Sequence, residues 1–189
     1  MGTTQYVAFL RAVNVGGRIV KMAELKAIVE KLGFADVSTF IASGNVIFSA
    51  GGAPLALETK IEGGLARALG FAVPTMVRST AQVAECARFE PYSAAALAGA
   101  SLYVGFMKHE ALPPAVATMH VLQTDIDELR VDGREVYWLA RKNIAESSIT
   151  GAAVEKALQT PVTFRNINTV RRLAAKYPVG RQAQGRGLK

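Results

Sequence analysis

A break in the hydrophobic patterning at residues 89–100 constrains this chain more than any other feature. Pro91, the run Ser93-Ala94-Ala95-Ala96 and Gly99 interrupt both helical and strand periodicity there. On either side the pattern runs in the same order, β-α-β-β-α-β and then a helix. Before the break, Tyr6–Leu10 reads as a buried strand. Met22–Leu32 reads as a helix with Leu25, Ile28, Val29 and Leu32 on one stripe, stopped by Gly33. Val37–Ile41 and Val46–Ser49 read as a hairpin around Ala42-Ser43-Gly44-Asn45. Leu55–Leu69 is a second amphipathic helix, Phe71–Val77 a strand, and Thr80 the cap of a helix that reaches Arg88. After the break come a strand over Ser101–Met107 and a weak helix over Pro113–His120. A hairpin follows, Asp127–Val131 and Glu135–Ala140 around Asp132-Gly133. The half closes with a helix over Ser147–Leu158, a strand over Val162–Phe164 and a helix over Thr169–Tyr177. Each half matches the split β-α-β pattern of ferredoxin-like folds. The expected fold is α+β: two tandem ferredoxin-like halves over 1–90 and 101–177, each followed by a helix, with a flexible basic tail over 178–189. The halves repeat in element order, without an evident alignment of residues.

At 189 residues, half of them hydrophobic, the chain can bury a sizeable core. Its one cysteine, Cys86, excludes an internal disulfide and fits a reducing, cytoplasmic compartment. The N-terminal residues lack a basic segment followed by a long apolar run, so no signal peptide is expected. No apolar run reaches about 18 residues, so no membrane span is expected. Tyr6 stands where a myristoylation motif needs Ser or Thr.

The net charge of +7 is unevenly distributed. After Glu155 there are eight basic residues and no acidic one: Lys156, Arg165, Arg171, Arg172, Lys176, Arg181, Arg186 and Lys189. A localised excess of this kind suits an anionic partner, a small molecule or nucleic acid, although a solvated helix face has the same composition.

Two loops have the composition of an anion site. In Arg11-Ala12-Val13-Asn14-Val15-Gly16-Gly17, Arg11 ends a buried strand, Asn14 tolerates a left-handed turn, and Gly16 and Gly17 allow close approach of backbone to a ligand. Lys21 follows before the helix. A strand–glycine loop–helix arrangement directs N–H groups at an anion, but neither the P-loop nor the dinucleotide-binding glycine motif is present. The Ser43-Gly44-Asn45 turn forms a polar edge beside it, with Ser43 and Asn45 as candidate contacts. The second loop, Thr163-Phe164-Arg165-Asn166-Ile167-Asn168-Thr169-Val170, places Arg165, Asn166 and Asn168 at the start of the last helix. A cation there opposes the helix dipole unless an anion neutralises it. Asn168 or Thr169 caps that helix. Arg171, Arg172 and Lys176 face outward as candidate nucleic-acid contacts. For both loops the alternative is a turn whose Arg pairs internally.

Signatures of catalysis are sparse. His109 and His120 have no partners at metal-ligand spacing, so no metal and no cofactor are expected. Cys86 sits within a helix and reads as a buried structural thiol. Ser147 and Ser148 read as caps, and no nucleophile-elbow motif is present. Asp125, Asp127 and Glu128 read as a solvated loop or as partners of Arg141 and Lys142. Tyr137 and Trp138 alternate on one strand, so one of them is available to stack a base.

The segments Arg11–Gly17, Lys21–Phe34, Phe40–Phe48 and Thr163–Ala174 together resemble the domain-of-unknown-function 1697 family of bacterial proteins. The resemblance implies an α/β protein of two ferredoxin-like halves and no established reaction, substrate or cofactor. Two positions depart from the family pattern. Ile167 stands where members favour an aromatic residue, and Phe164 where they favour Thr, which weakens base stacking in the second loop. The expectation is a non-catalytic binder of an anionic ligand. Its alternatives are a metal-independent enzyme with an Arg/Asn pocket and a purely structural or protein-interaction role.

Overall fold

The computed structural model describes residues 2–14, 19–42 and 44–179. It shows a mixed α/β fold with two four-stranded antiparallel sheets. Thr4–Leu10 (β1), Ala35–Thr39 (β2), Asn45–Ala50 (β3) and Thr75–Ser79 (β4) form the first, in the order β2-β3-β1-β4. Ser101–Met107 (β5), Asp127–Asp132 (β6), Glu135–Ala140 (β7) and Val162–Asn166 (β8) form the second, in the order β6-β7-β5-β8. Seven α-helices occur among the described residues: Met22–Lys31 (α1), Pro54–Leu69 (α2), Thr80–Arg88 (α3), Ala94–Leu97 (α4), Pro113–Ala117 (α5), Gly151–Leu158 (α6) and Ile167–Lys176 (α7). The chain divides into two compact units, Met1–Glu85 with Leu173–Lys189, and Cys86–Arg172.

In the first unit, alternate residues of the central strand β1 point to opposite faces. Tyr6, Ala8 and Leu10 pack under Leu25 and Val29 of α1 and under Leu57, Ile61 and Leu65 of α2. Val7 and Phe9, on the other face, are also fully buried. This two-sided burial explains why β1 reads as a continuous apolar run rather than an alternating one. The second unit repeats the plan. Met107, Leu129, Val136, Trp138 and Val162 pack with Val154 and Leu158 of α6.

Strand register aligns the two units residue by residue, which the bare element order does not. Val7 pairs with Arg78 as Val104 pairs with Arg165. Where β1 ends, Leu10 N donates to Gly44 O (2.8 Å) and Arg11 N to Pro74 O (2.9 Å). Where β5 ends, Met107 N donates to Arg134 O (2.9 Å) and Lys108 N to Pro161 O (3.0 Å). Both edge strands β4 and β8 start on an N–H bound by a helix carboxylate: Thr75 N donates to Glu62 Oε1 (2.8 Å), and Val162 N to Glu155 Oε1 (2.7 Å). In the first unit Glu58 Oε1 also accepts from Val77 N, at 2.9 Å. A charged acceptor on a partly buried N–H contributes about 1.5–3 kcal/mol and blocks the edge against further strand pairing.

Several elements start or end differently from the sequence expectation. β4 begins at Thr75 rather than Phe71, because Thr75 is the first residue that has a partner, Leu10, on β1. α3 is capped by Ser79, which exchanges bonds with Gln82 in a capping box. α6 begins at Gly151 with Thr150 as its cap, and Ser147 turns instead to Asp127. The cap of α7 is Asn166, whose Oδ1 accepts from Asn168 N at 2.9 Å, so neither Asn168 nor Thr169 serves as the cap. The interrupted stretch at 89–100 contains the short helix α4, capped by Ser93. The tail beyond residue 179 lies outside the described residues.

Gly105, on the central strand β5, faces α6 with no room for a side chain. A Cβ there meets Phe164 Cε1 and Val136 Cγ1, both at 2.6 Å. Gly105→Ala is therefore expected to destabilise the protein by roughly 1–3 kcal/mol through overpacking. Urea unfolding with a lowered midpoint and an unchanged slope is the measurement that checks it.

Candidate anion-binding site

In the first unit, the Arg11 loop and the hairpin turn at 40–45 form one structure. Asn14 joins them: its Nδ2 donates to Ala42 O (3.2 Å), and its Oδ1 accepts from Val20 N (2.7 Å). Asn45 is fully buried, and its Nδ2 donates to Phe40 O (3.0 Å). Both amides thus hold the loops in place. Gly44 is required by two constraints, a φ of +72° and a Cβ position only 2.7 Å from Val13 Cγ1. Ala12 and Ile41 also adopt positive φ, 55° and 51°. For Ile41, a β-branched residue, this is a costly conformation. Arg11 is half-buried, and Lys21 is exposed at the N-cap of α1 without a side-chain cap bond. Gly16, Gly17 and Ser43 lie outside the described residues.

The second loop lies in the other unit. Arg165 is buried, and its Nη1 donates to Thr163 Oγ1 (2.9 Å) and to Phe164 O (2.8 Å). Burial lowers its guanidinium from the ordinary range to about 10, so it remains a cation at neutral pH. Next to it in sequence, Asn166, Asn168 and Arg171 line a pocket of ≈ 190 Å³ together with Ser101. The apolar part of its wall is Leu97, Ala100, Leu102 and Ile167. The start of β5 and the end of β8 bring these residues together, since Tyr103 pairs with Asn166. Arg171 is the one charged residue in the lining. Its side chain is exposed, and its Nε lies 3.5 Å from Ala87 O. The backbone N–H groups of the first turn of α7 add positive potential beside it. Arg172 and Lys176 are exposed further along α7, with Lys176 Nζ 5.4 Å from the Phe40 ring centroid.

The remaining candidates have structural surroundings. Asp127 is fully buried and accepts from Trp138 Nε1 (2.7 Å), Ser147 Oγ (2.7 Å) and Thr124 Oγ1 (3.1 Å). It is not part of a solvated loop. Glu128 pairs with Arg141. Tyr137 and Trp138 are both buried, so neither can stack a base. Cys86 is buried, and burial raises the Tyr137 hydroxyl beside it. No group of three His, Cys, Asp or Glu able to hold a metal occurs among the described residues. No helix among them is long and apolar enough to cross a membrane.

Arg78 and Lys108 are absent from the sequence-derived set. Arg78 is fully buried at the strand position equivalent to Arg165, and its Nη1 likewise donates to the preceding carbonyl, Val77 O (3.0 Å). The signal was present in the sequence. Pro74-Thr75-Met76-Val77-Arg78-Ser79 parallels Pro161-Val162-Thr163-Phe164-Arg165-Asn166, and Phe9-Leu10-Arg11 parallels Phe106-Met107-Lys108. Ser101 carried no motif and joins the pocket only through the sheet.

The family model described as protein of unknown function DUF1697 matches residues 3–137 of the chain. The pocket residues Asn166, Asn168 and Arg171 lie beyond that match. No curated protein matches the chain. Among solved structures, a conserved bacterial protein, SP0830 from Streptococcus pneumoniae, is similar at 22% identity with a TM-score of 0.72, over 92% of this chain and 98% of its own. At that identity the likeness is one of fold.

The lowered value for Arg165 has a defined pH consequence. Its folded value lies below its ordinary one, so the cost of burying the charge is present in full below about pH 10. Above that the unfolded chain still holds the proton while the folded chain loses it, so stability rises. The stability difference between wild type and Arg165→Met should be constant through neutral pH and move in favour of wild type above pH 10. Denaturant unfolding at several pH values, up to the limit set by other titrating groups, measures it.

Proposed function

We propose that this chain, which belongs to the DUF1697 family of proteins of unknown function, is a non-catalytic binder of a small anionic ligand. The observation that carries the reading is the pocket at the start of α7, where three of the sequence-derived residues, Asn166, Asn168 and Arg171, share one wall with Ser101. The pocket has a single cation and no carboxylate in its lining. An entering anion thus meets no opposing charge there and gains the dipole of α7. Arg11, Asn14 and Lys21 form a second basic loop in the other unit, and under this reading Asn14 and Asn45 hold its shape while Arg11 and Lys21 supply its charge. Each unit is read as ferredoxin-like, over 1–90 and 101–177, a reading that the order β2-β3-β1-β4 and its repeat β6-β7-β5-β8 support.

The exposed Arg171, Arg172 and Lys176 support a second reading, in which nucleic acid is the anion. The two are separable. For pocket binding, calorimetric titration with inorganic phosphate at low ionic strength should show saturable binding that Arg171→Gln abolishes and Arg172→Gln with Lys176→Gln leaves in place. For nucleic acid, affinity for single-stranded DNA should fall linearly with the logarithm of salt concentration, with a slope that decreases by about 0.7 for each cation removed. Absence of binding by either probe refutes both readings.

A further inference from the structure

We infer that α2 is the contact face of a homodimer, in which the α2 helices of two copies pack side by side, in parallel, about a two-fold axis. This contact does not depend on the anion reading, whose pocket lies in the other unit. α2 is the longest helix among the described residues, and Leu57, Glu58, Ile61, Gly64 and Leu65 turn inward. The outward face of an amphipathic helix is ordinarily charged. Here Ala56, Thr59, Gly63 and Ala66 occupy it, at alternating intervals of three and four residues, and none carries a charge. Beside them runs an open, chiefly apolar groove of ≈ 450 Å³, lined by Thr59, Glu62, Gly63 and Ala66 and by the segment 72–74. Leu55, one turn before Thr59, projects with 53% of its surface exposed.

Gly63 has no explanation within its own chain. Its neighbour Gly64 is required by packing, since a Cβ there meets Leu32 Cδ2 at 2.6 Å. A Cβ at Gly63 meets only Arg67 Nη1, at 3.5 Å, which is ordinary contact. A glycine in mid-helix costs stability, and what it permits is the close approach of another backbone. Charge selects the occupant and its direction. With Gly63 and Ala66 at the seam, Glu62 stands on one flank, and Lys60 and Arg67 stand on the other. In a parallel pair opposite flanks meet, so Glu62 of each copy lies beside Arg67 of the other, and both contacts are attractive. In an antiparallel pair like flanks meet, which sets Lys60 and Arg67 of one copy against Arg67 and Lys60 of the second. The groove beside Glu62 thus receives Arg67 of the second copy. Projection and recess lie on one surface, as a two-fold contact requires. A seam of about four turns is small beside the roughly 1,200–2,000 Å² that stable interfaces bury, so the dimer should dissociate on dilution.

Sedimentation velocity of the full-length protein at low salt, from about 1 μM to about 1 mM, tests this. The expected result is a mass that rises with concentration from the 20.1 kDa of one chain towards twice that value. Gly63→Glu gains an i,i+4 partner in Arg67, and its Cβ has room, so this variant should keep its melting temperature yet stay monomeric throughout. Arg67→Glu should weaken the dimer by roughly tenfold, through loss of two exposed ion pairs. Wild-type protein that stays monomeric at the highest concentration overturns the inference. So does a dimer that Gly63→Glu leaves unchanged, since its contact lies elsewhere. A dimer that Arg67→Glu tightens is antiparallel and overturns it too.

Discussion

The structure depends on two strands, β1 and β5, that are hydrogen-bonded along both edges and buried on both faces. Each is the second strand from the edge of its sheet, with β3 and β4 flanking the one and β7 and β8 the other. Val7, Ala8 and Phe9 are wholly inaccessible, as are Val104 and Phe106. A strand in this position cannot shift register by one residue without moving every side chain to the wrong face. Where each strand ends, its last N–H groups reach a turn carbonyl and a proline carbonyl, and these bonds fix where the next loop starts. Gly105 shows how tight the arrangement is, since an added methyl there meets three side chains of two neighbouring strands.

The edges complete the constraint. β4 and β8 are edge strands, and glutamates of the covering helices bind their outward N–H groups. The carboxylates stabilise the sheet and close it to further pairing, so the same residues that orient α2 and α6 also define where each sheet stops. The Arg11 loop lies beside the carboxylate-bound start of β4, because Leu10 pairs with Thr75, whereas the cap of α7 lies at the other end of β8 from Glu155. Their geometry is therefore inherited from the strand ends. Asn14, Asn45 and Asn166 illustrate the division of labour: their amides bind backbone groups, Asn14 across to the neighbouring turn and Asn45 and Asn166 within their own, and the charge of the sites comes from arginine and lysine.

Much of the architecture was legible in the sequence. Hydrophobic period separated the helices from the strands, and Asp132-Gly133 and Ser43-Gly44-Asn45 marked the two hairpins. Misplaced ends have two causes. Thr75 starts where its partner Leu10 lies on β1, which local propensity does not contain, whereas Gly151 and Ile167 follow caps at the residue just before them, Thr150 and Asn166, with other polar residues nearby competing for the same role. Asp127 illustrates the same limit. It sits in an acidic run that reads as solvated, yet its buried carboxylate accepts three hydrogen bonds, from residues 3, 11 and 20 positions away.

The sequence by itself determined the element order, the doubling of that order across the break at 89–100, and the residue types able to hold an anion. It also contained the parallel between Pro74–Ser79 and Pro161–Asn166, although two short matches among unlike neighbours carry little weight until a register aligns them. Tertiary structure alone decided that Arg78 and Arg165 occupy equivalent buried positions, that Asn166 is the cap, and that Ser101 joins Asn168 and Arg171 around one pocket. The reason is physical. Periodicity records which face of an element is buried, because burial repeats with the helix or strand period. A pocket is made where elements distant in sequence end side by side, and that depends on strand pairing, which no local pattern encodes.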